Sequence, residues 1–387
     1  MRPATSLRRR LFCMMTLVLF RRSLLLALLP TAAIQAQDVP RTFPAAAPSA
    51  RDSATGRIPD QKTFANPSVL GQGPSKGLIV RYERLPQFNV GTTAQVVGLR
   101  NYDGAATKNA RISIKAYIPA VNHPHLKVIV GLSYEREEFK FSQLNQDNEL
   151  INNIEDKGLK STAVQLAVIR PVDEVHWYLA RFKAELAGDY TSSELTKKDY
   201  LRTSAEAFYG WKRSPRFSWG LGFQYGYTFG RLSFYPAVIY NRTFSDRWGV
   251  EALFPARVLL RYNASPTSLF YTGYGIDGLN FIVHLRDPLV RRTETGLPDP
   301  AKTPLQTLEL RQIELKYRLR YERELLSFLW MGAETGYRYN YAFDAFDRTN
   351  ADREKIISST FAGTPYFSLE LFLVPPRKLM ERAGVRR

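Results

Sequence analysis

Histidine is the usual proton carrier and metal ligand near neutral pH, and this chain has four among 387 residues. His123 and His125 flank Pro124 in what reads as a tight turn, and His176 opens a β-patterned segment. Only His284 falls where alternation directs a side chain to the interior of an element. Zinc held by two histidines needs further nitrogen or sulfur donors. No other His or Cys is placed to complete such a set, since the one cysteine, Cys13, lies in the N-terminal leader. Nucleophilic catalysis needs a nucleophile, a base and an orienting group in mutual reach. His284 is the one base candidate, and it reads better as an interior polar residue bonded to a neighbour. Asp344, Asp347, Asn350, Asp352 and Glu354 crowd one segment without the spacing of a calcium loop, so they read as a solvated loop. Gly220, Gly222 and Gly226 lack the following helix that a nucleotide-binding loop requires. No catalytic set, metal site or cofactor is expected.

The charges carry more information. Lys+Arg number 54 against 36 Asp+Glu, a formal net charge of +18. Alternation gathers many of them on the face opposite the apolar one: Arg111, Lys115, Arg181, Lys183, Glu185, Arg257, Arg261, His284, Glu314, Lys316, Arg318, Arg320, Glu334 and Arg338. Charges that line an enclosed interior can do one of two things. They can neutralise each other as a network filling a narrow barrel, or they can line a water-filled pathway whose basic excess attracts anions. Nucleic-acid binding is discounted, because these charges face inward and no basic arm or recognition helix accompanies them.

The elements that would position these residues are strands. Phe217, Trp219, Leu221, Phe223, Tyr225, Tyr227 and Phe229 alternate with small or polar residues. Ile313 to Tyr321 and Ile112 to Ile118 alternate with charges in the same way. Period two puts successive side chains on opposite faces of a strand. Soluble sheets use strands of roughly five or six residues; many of these runs last longer, matching the roughly 9–11 tilted residues that cross a bilayer as a strand. The fold expected is all-β, a transmembrane antiparallel up-and-down barrel. Its strands are placed at 78–84, 109–118, 126–139, 159–170, 174–187, 200–211, 216–228, 231–241, 247–261, 267–275, 278–286, 307–321, 327–341 and 364–374. That count is fourteen, with twelve as the alternative. External connectors are expected at 85–108, 140–158, 188–199, 229–230, 262–266, 287–306 and 342–363. Short periplasmic ones are expected at 119–125, 171–173, 212–215, 242–246, 276–277 and 322–326. All five tryptophans then fall near the periplasmic rim, as an interfacial aromatic belt would have them. Pro236 and Pro255 remove ladder hydrogen bonds inside expected strands, so a bulge or break is expected near each.

The remaining segments complete the plan. Residues 1–36, with Arg8, Arg9, Arg10, Arg21 and Arg22 ahead of the apolar run Leu24 to Leu29 and small residues ending at Ala36, read as a cleaved signal peptide. Residues 37–76, rich in Pro, Ala, Ser and Gly, read as a flexible periplasmic lead-in, with a folded plug as the alternative. The barrel occupies 77–374, and 375–387 form a basic tail. Removing the leader takes away the only cysteine, so disulfides contribute nothing to stability. The composition also excludes a helical transporter, since no later stretch approaches the length of an apolar spanning helix.

The segment Leu253-Phe254-Pro255-Ala256-Arg257-Val258-Leu259-Leu260-Arg261-Tyr262, with Ser268-Leu269-Phe270-Tyr271 and Gly278-Leu279-Asn280-Phe281, resembles a family of outer-membrane β-barrels of Gram-negative bacteria classified as a domain of unknown function. Val130-Gly131-Leu132-Ser133-Tyr134-Glu135-Arg136-Glu137-Glu138-Phe139 with the later Lys157-Gly158-Leu159 adds to the likeness. The resemblance spans about residues 77–374 and implies a barrel. It implies no activity and supplies no catalytic residue.

The expected function is a passive channel or uptake pore for small solutes with a slightly anion-favouring lumen. A closed structural or adhesion barrel working through its external loops is the alternative, and a barrel-embedded lipid-modifying enzyme comes third. The expected setting is the outer membrane of a Gram-negative bacterium. Membrane lipid, lipopolysaccharide and the barrel-assembly machinery are the expected partners, and no nucleic acid.

Overall fold

The structure is a computed structural model. It describes residues 64–375 except 98, 143–147, 192–197, 228–229, 294, 301 and 349–352. The expected signal peptide, the first part of the lead-in and nearly all of the basic tail lie outside the described residues.

Sixteen strands follow one another: β1 (Leu78–Leu85), β2 (Phe88–Ala94), β3 (Tyr102–His123), β4 (Leu126–Phe141), β5 (Leu159–Pro171), β6 (His176–Gly188), β7 (Leu201–Ser214), β8 (Phe217–Gly226), β9 (Ser233–Thr243), β10 (Trp248–Phe254), β11 (Arg257–Ser265), β12 (Ser268–Leu289), β13 (Leu305–Leu326), β14 (Leu329–Asp347), β15 (Lys355–Phe361) and β16 (Thr364–Leu373). One helix, α1 (Glu149–Lys157), lies between β4 and β5. Sequential neighbours from β3 to β14 pair antiparallel. β1 and β2 run end to end along β3, interrupted at Pro86, and β16 and β15 do the same along β14. The ring closes where β1 pairs with β16 and β2 with β15. Sixteen strands therefore make fourteen staves, and the closed ladder leaves no sheet edge around the ring, as hydrocarbon requires.

The faces are inverted relative to a soluble barrel. On β13, Leu319 is 55% exposed and points outward, whereas the next residue, Arg320, is 3% exposed and points inward. Tyr317, Leu221, Phe223, Phe234 and Leu371 share the outer face. This is a transmembrane barrel with an apolar outside and an ionic inside.

Two expected boundaries are corrected, and they cancel in the count. The segment 247–261 is two strands, β10 and β11, joined by a turn at 255–256. Pro255 has no N–H for the ladder, and of the bulge or break expected there the break occurs, with the chain reversing. Conversely, 267–275 and 278–286 are one strand, β12, which pairs with β13 straight through the supposed turn at 276–277. No turn forms beside Gly275. Gly275 instead makes room for Arg318, whose Nη2 would lie 2.4 Å from a Cβ at that position. The supposed external loop at 262–266 therefore reduces to a turn at 266–267 at the opposite end. Residues 88–94 and 102–108, expected in the loop 85–108, extend the first two staves instead. Pro236 stays within β9 above the last residue paired to β10, Val238, where no neighbour needs its N–H.

Connectors at one end (124–125, 172–175, 215–216, 244–247, 266–267 and 327–328) never exceed four residues. Those at the other end include the long segments 142–158, 189–200 and 290–304. All five tryptophans lie toward the short-turn end, but they do not form one outward belt. Trp211, Trp219 and Trp248 face out, with Trp211 stacked on Trp219 at 4.5 Å. Trp177 and Trp330 point inward and are almost wholly buried. Gly210 and Gly220 on the neighbouring strands leave the space that the Trp177 ring fills. Phe372, the aromatic nearest the end of the last strand, also faces inward, stacked on Trp330.

The staves differ in height. β12, β13, β14, β3 and β4 run for 16 to 22 residues, whereas β10 and β11 have 7 and 9. Above that low hairpin the upper part of β12 has no β11 beside it. There it meets β6, with Ile282 paired to Gly188. The approach is so close that a Cβ on Gly188 would lie 2.3 Å from the Ile282 carbonyl oxygen.

If lipid covers the outer face, the cost of a charge there must depend on depth. Leu319→Arg, in the middle of β13, should destabilise the refolded barrel by roughly 2–4 kcal/mol, and Leu326→Arg beside the 327–328 turn by about 0–1 kcal/mol. Equilibrium unfolding in lipid vesicles measures both; equal, small effects would mean that Leu319 faces water.

Candidate functional site

The interior is a charged chamber with a closure at each end. Its wall follows from alternation, because inward positions on adjacent staves meet at the same height. On one side a continuous chain of ion pairs runs from Lys76 through Glu322 and Glu370, Arg320, Glu334, Arg81, Glu83, Lys316 and Glu314 to Arg111, Arg338 and Glu137. Six cations face six carboxylates in that chain. Lys316 Nζ donates to Glu83 at 2.6 Å, Arg338 Nη1 to Glu314 at 3.0 Å, and Arg111 Nη2 to Glu137 at 2.7 Å. The Tyr366 hydroxyl donates to Glu334 at 2.8 Å. Removing ions from water is costly unless partners and hydrogen bonds replace the hydration, and this chain of pairs supplies them.

Smaller pairs complete the wall. Arg181 meets Glu206 at 2.8 Å, and Lys183 meets Glu185, which also accepts from Ser161. Arg261 meets Glu251 at 3.1 Å and donates to Thr243 at 2.9 Å. Lys115 and Arg318 line a partly open cavity of about 90 Å³ together with Asp277, Ser113, Ser133 and Glu135. A second partly open cavity of about 60 Å³ shares Glu185 and reaches Arg202, Gln224 and Asn280. Arg257 opens β11 beside the turn at 255–256, at the parity of Leu259 and Arg261. Of the residues singled out from sequence, Arg111, Glu314, Lys316, Arg320, Glu334 and Arg338 thus share one network. Arg181, Lys183, Glu185 and Arg261 sit in separate pairs.

The short-turn end is closed by the chain itself. Residues 64–76, expected within the flexible lead-in, are bonded across the mouth. Asn241 donates to the Pro67 carbonyl at 2.8 Å, Thr243 to Leu70 at 2.6 Å, Asn263 to Gly71 at 2.9 Å and Lys212 to Ser68 at 2.8 Å. Leu70 N–H donates to Pro215 at 2.9 Å. Ala65 packs with Trp177, Phe208 and Ile239, and Lys76 joins the ion network. A Pro-rich stretch without hydrophobic period gives no sequence signal for such seating, because its own backbone carbonyls do most of the bonding.

The long-loop end is closed by apolar packing. Phe88, Phe139, Phe141, Phe343 and Phe361 fill the tall side with Leu308, Leu310 and Val283. α1 adds Leu150, Ile151 and Ile154 from its buried face. Asn148 caps the helix by accepting from Ile151 N–H, and Gly158, with φ +64°, ends it through a hydrogen bond to the Ile154 carbonyl. A polar latch ties this head to β6 and β12. Buried Asp189 accepts from Lys157 at 3.2 Å, from the Tyr200 hydroxyl at 3.2 Å and from the backbone N–H of His284 at 3.0 Å. His284 Nδ1 lies 2.8 Å from that hydroxyl. The His284 carbonyl accepts from Asn153 and Lys157. His284 is thus a tether, with a phenol and a carboxylate beside it.

The other histidines sit at the short-turn end. The His125 ring packs on Phe64, and Asp173 holds the start of β6 by accepting from Val175 N–H, His176 N–H and His176 Nδ1. The hydrogen bond from His176 keeps the Asp173 carboxyl down at about 2. Among the described residues no cluster of donors is arranged for a metal. The acidic loop is less solvated than expected: Asp347 is buried against Arg291, and Asp344 meets Lys355 at 2.6 Å. Asn350 and Asp352 lie outside the described residues.

Sequence reasoning missed Lys76 and Glu322 in the network, Asp277 in the chamber and Asp189 in the latch. Asp277 was legible: Leu269, Tyr271, Gly273, Gly275, Asp277, Leu279 and Phe281 keep one parity, and the false turn hid it.

Residues 106–284 match the model of a family described as Domain of unknown function (DUF6268), which reaches from β3 into β12. A search of curated proteins finds no match. Three solved structures are similar at 8% identity. The NanC porin has a TM-score of 0.31, covering 76% of this chain and 98% of its own. A Pseudomonas aeruginosa FadL homologue has 0.35, covering 77% and 90%. The COG4313 outer membrane channel of Pseudomonas putida F1 has 0.35, covering 82% and 99%.

Glu314 faces Arg111, Lys316 and Arg338 together. Glu314→Leu should leave an uncompensated cluster of cations and cost about 3–5 kcal/mol in equilibrium unfolding. Glu138→Leu, at an exposed pair with Lys108, should cost at most about 1 kcal/mol. Similar losses for both would mean that the network is solvated.

Proposed function

We propose that this protein is an outer-membrane β-barrel of a Gram-negative bacterium that passes small polar solutes through its interior, and that the structure holds it shut. The observation that carries the reading is the unfilled, polar chamber between the two closures. A barrel with a purely mechanical role has no need to keep a partly open cavity of about 90 Å³ among ionic side chains. In this reading the short-turn end is periplasmic and the long loops are external. The chain would arrive through a cleaved signal peptide, insert with the assembly machinery and contact lipid and lipopolysaccharide.

The two closures differ in how they could yield. The middle of the segment 64–76 and the Asp189 latch are held by individual hydrogen bonds, each worth about 0.5–1.5 kcal/mol net and more where a charge takes part, while Ala65 and Lys76 anchor the segment's ends in an apolar cluster and the ion network. Release of a few is within reach of a solute or partner that binds the open state better. The expected anion preference loses its main support, because most of the basic excess is taken up in pairs with carboxylates. The closed structural or adhesion barrel retains one specific observation in its favour, the apolar core across the long-loop end. A lipid-modifying enzyme gains nothing from His284, whose ring partners are Tyr200 and Asp189.

Planar-bilayer recording on the refolded protein tests the channel. Brief, infrequent openings are expected from the wild-type chain, and frequent ones from Asp189→Asn and from Lys157→Ala, which loosen the latch. Background current from all three would overturn the proposal in favour of the closed barrel.

A further inference from the structure

Most lumenal charges have a hydrogen-bonded or ion-paired partner, but two that face the same space do not, and Glu334 acts on Arg318 only through space. Among the described residues, Arg318 and Asp277 make no hydrogen bond and no ion pair, and the Arg318 Nε is buried without an acceptor. Both line the larger space of the chamber. They belong to adjacent strands: Asp277 stands opposite Glu314, and Arg318 opposite Gly273. The Arg318 guanidinium bends along β12 over Gly275, where the missing side chain leaves it room, and so points toward Asp277 two residues further on. It stops short of ion-pair distance.

Both side chains are half-buried against the open space, and opposite charges on adjacent strands would ordinarily collapse together. Here the flanking charges are already committed. Glu314 and Glu83 are bound by Arg111, Arg338 and Lys316, and Glu334 by Arg81 and Arg320. The backbone registers fix the gap. Across the chamber, Ser113 and Ser133 present hydroxyls and Glu135 a carboxylate. An open guanidinium suits a carboxylate, which it can grip with two parallel N–H donors. An open carboxylate a short way along suits an ammonium.

Resting on the reading of the barrel as a solute channel, we propose that Arg318 and Asp277 form a binding site for a small zwitterionic solute of the α-amino-acid class. The solute's carboxylate lies on Arg318 and its ammonium on Asp277. Such a solute is neutral overall and so leaves the balanced network around it undisturbed. A simple anion would satisfy Arg318 and leave Asp277 bare, and a simple cation would do the reverse.

Isothermal titration of the full refolded chain in detergent micelles with L-serine, L-glutamine, acetate and ethylammonium tests this. The wild-type and the Asp189→Asn chains are both titrated, so that a shut mouth cannot hide the site. The amino acids should bind at least about tenfold more tightly than acetate or ethylammonium. Arg318→Gln and Asp277→Asn should each weaken them by at least about tenfold. The double variant Arg318→Gln/Asp277→Asn removes both charges without changing the net charge and should abolish the preference while still folding. The proposal is overturned if acetate or ethylammonium binds as well as the amino acids, if the double variant binds them unchanged, or if neither chain binds them. Binding without conductance would remove the channel and leave the site; conductance without binding would remove the site and leave the channel.

Discussion

A lipid-facing outer surface leaves the ionic side chains of this barrel one place to go, and they must neutralise one another there. The strand registers show how the demand is met. Arg111 stands beside Glu137, Arg320 beside Glu334 and Arg181 beside Glu206, each pair on neighbouring staves at one height. Where register brings like charges together, as with Lys316 and Arg338, carboxylates from the adjoining rows intervene: Glu83 takes the lysine and Glu314 the arginine. Because staves far apart in sequence each contribute half of a pair, the interior also specifies which strands may close the ring. Glu83 of β1 binds Lys316 of β13 across β16 and β14, and Lys76 reaches Glu322 from outside the strands altogether.

The closures divide the remaining work by chemistry. The tall side of the barrel ends in an apolar head, whose burial is cooperative and hard to undo. The segment 64–76 and the junction at Asp189 are attached largely by polar contacts. Asp189 gathers Lys157 of α1, Tyr200 and the backbone of β12 at one point, so a single carboxylate ties three segments. At the opposite mouth, residues 64–76 bond to side chains on β7, β9 and β11 mainly through their own carbonyls. Between head and segment lies space that neither fills.

The architecture was largely legible because period two is a strong signal when one face is ionic. The runs around Ile112, Leu221 and Leu319 leave little doubt about which side meets lipid. Fourteen staves also emerged, though through two errors of opposite sign. The turn expected at 276–277 is continuous strand, with Gly275 making room for Arg318, and Pro255, expected to bulge or break a strand, ends one. The belt argument placed the tryptophans at the correct height and could not tell that Trp177 and Trp330 turn inward, since which way a rim residue points depends on what lies in the mouth. What lies there, residues 64–76, has no periodicity to read. The pairing of individual charges was equally hidden: parity says that a residue faces inward, and only register says whom it meets.

The central claim is the inverted arrangement of faces, and tryptophan quenching by brominated lipid tests it most directly. In single-tryptophan variants reconstituted into brominated vesicles, Trp248 and Trp219 should be quenched strongly, and Trp177 and Trp330 should keep nearly all of their emission. Strong quenching of Trp177, or none of Trp248, would contradict the account.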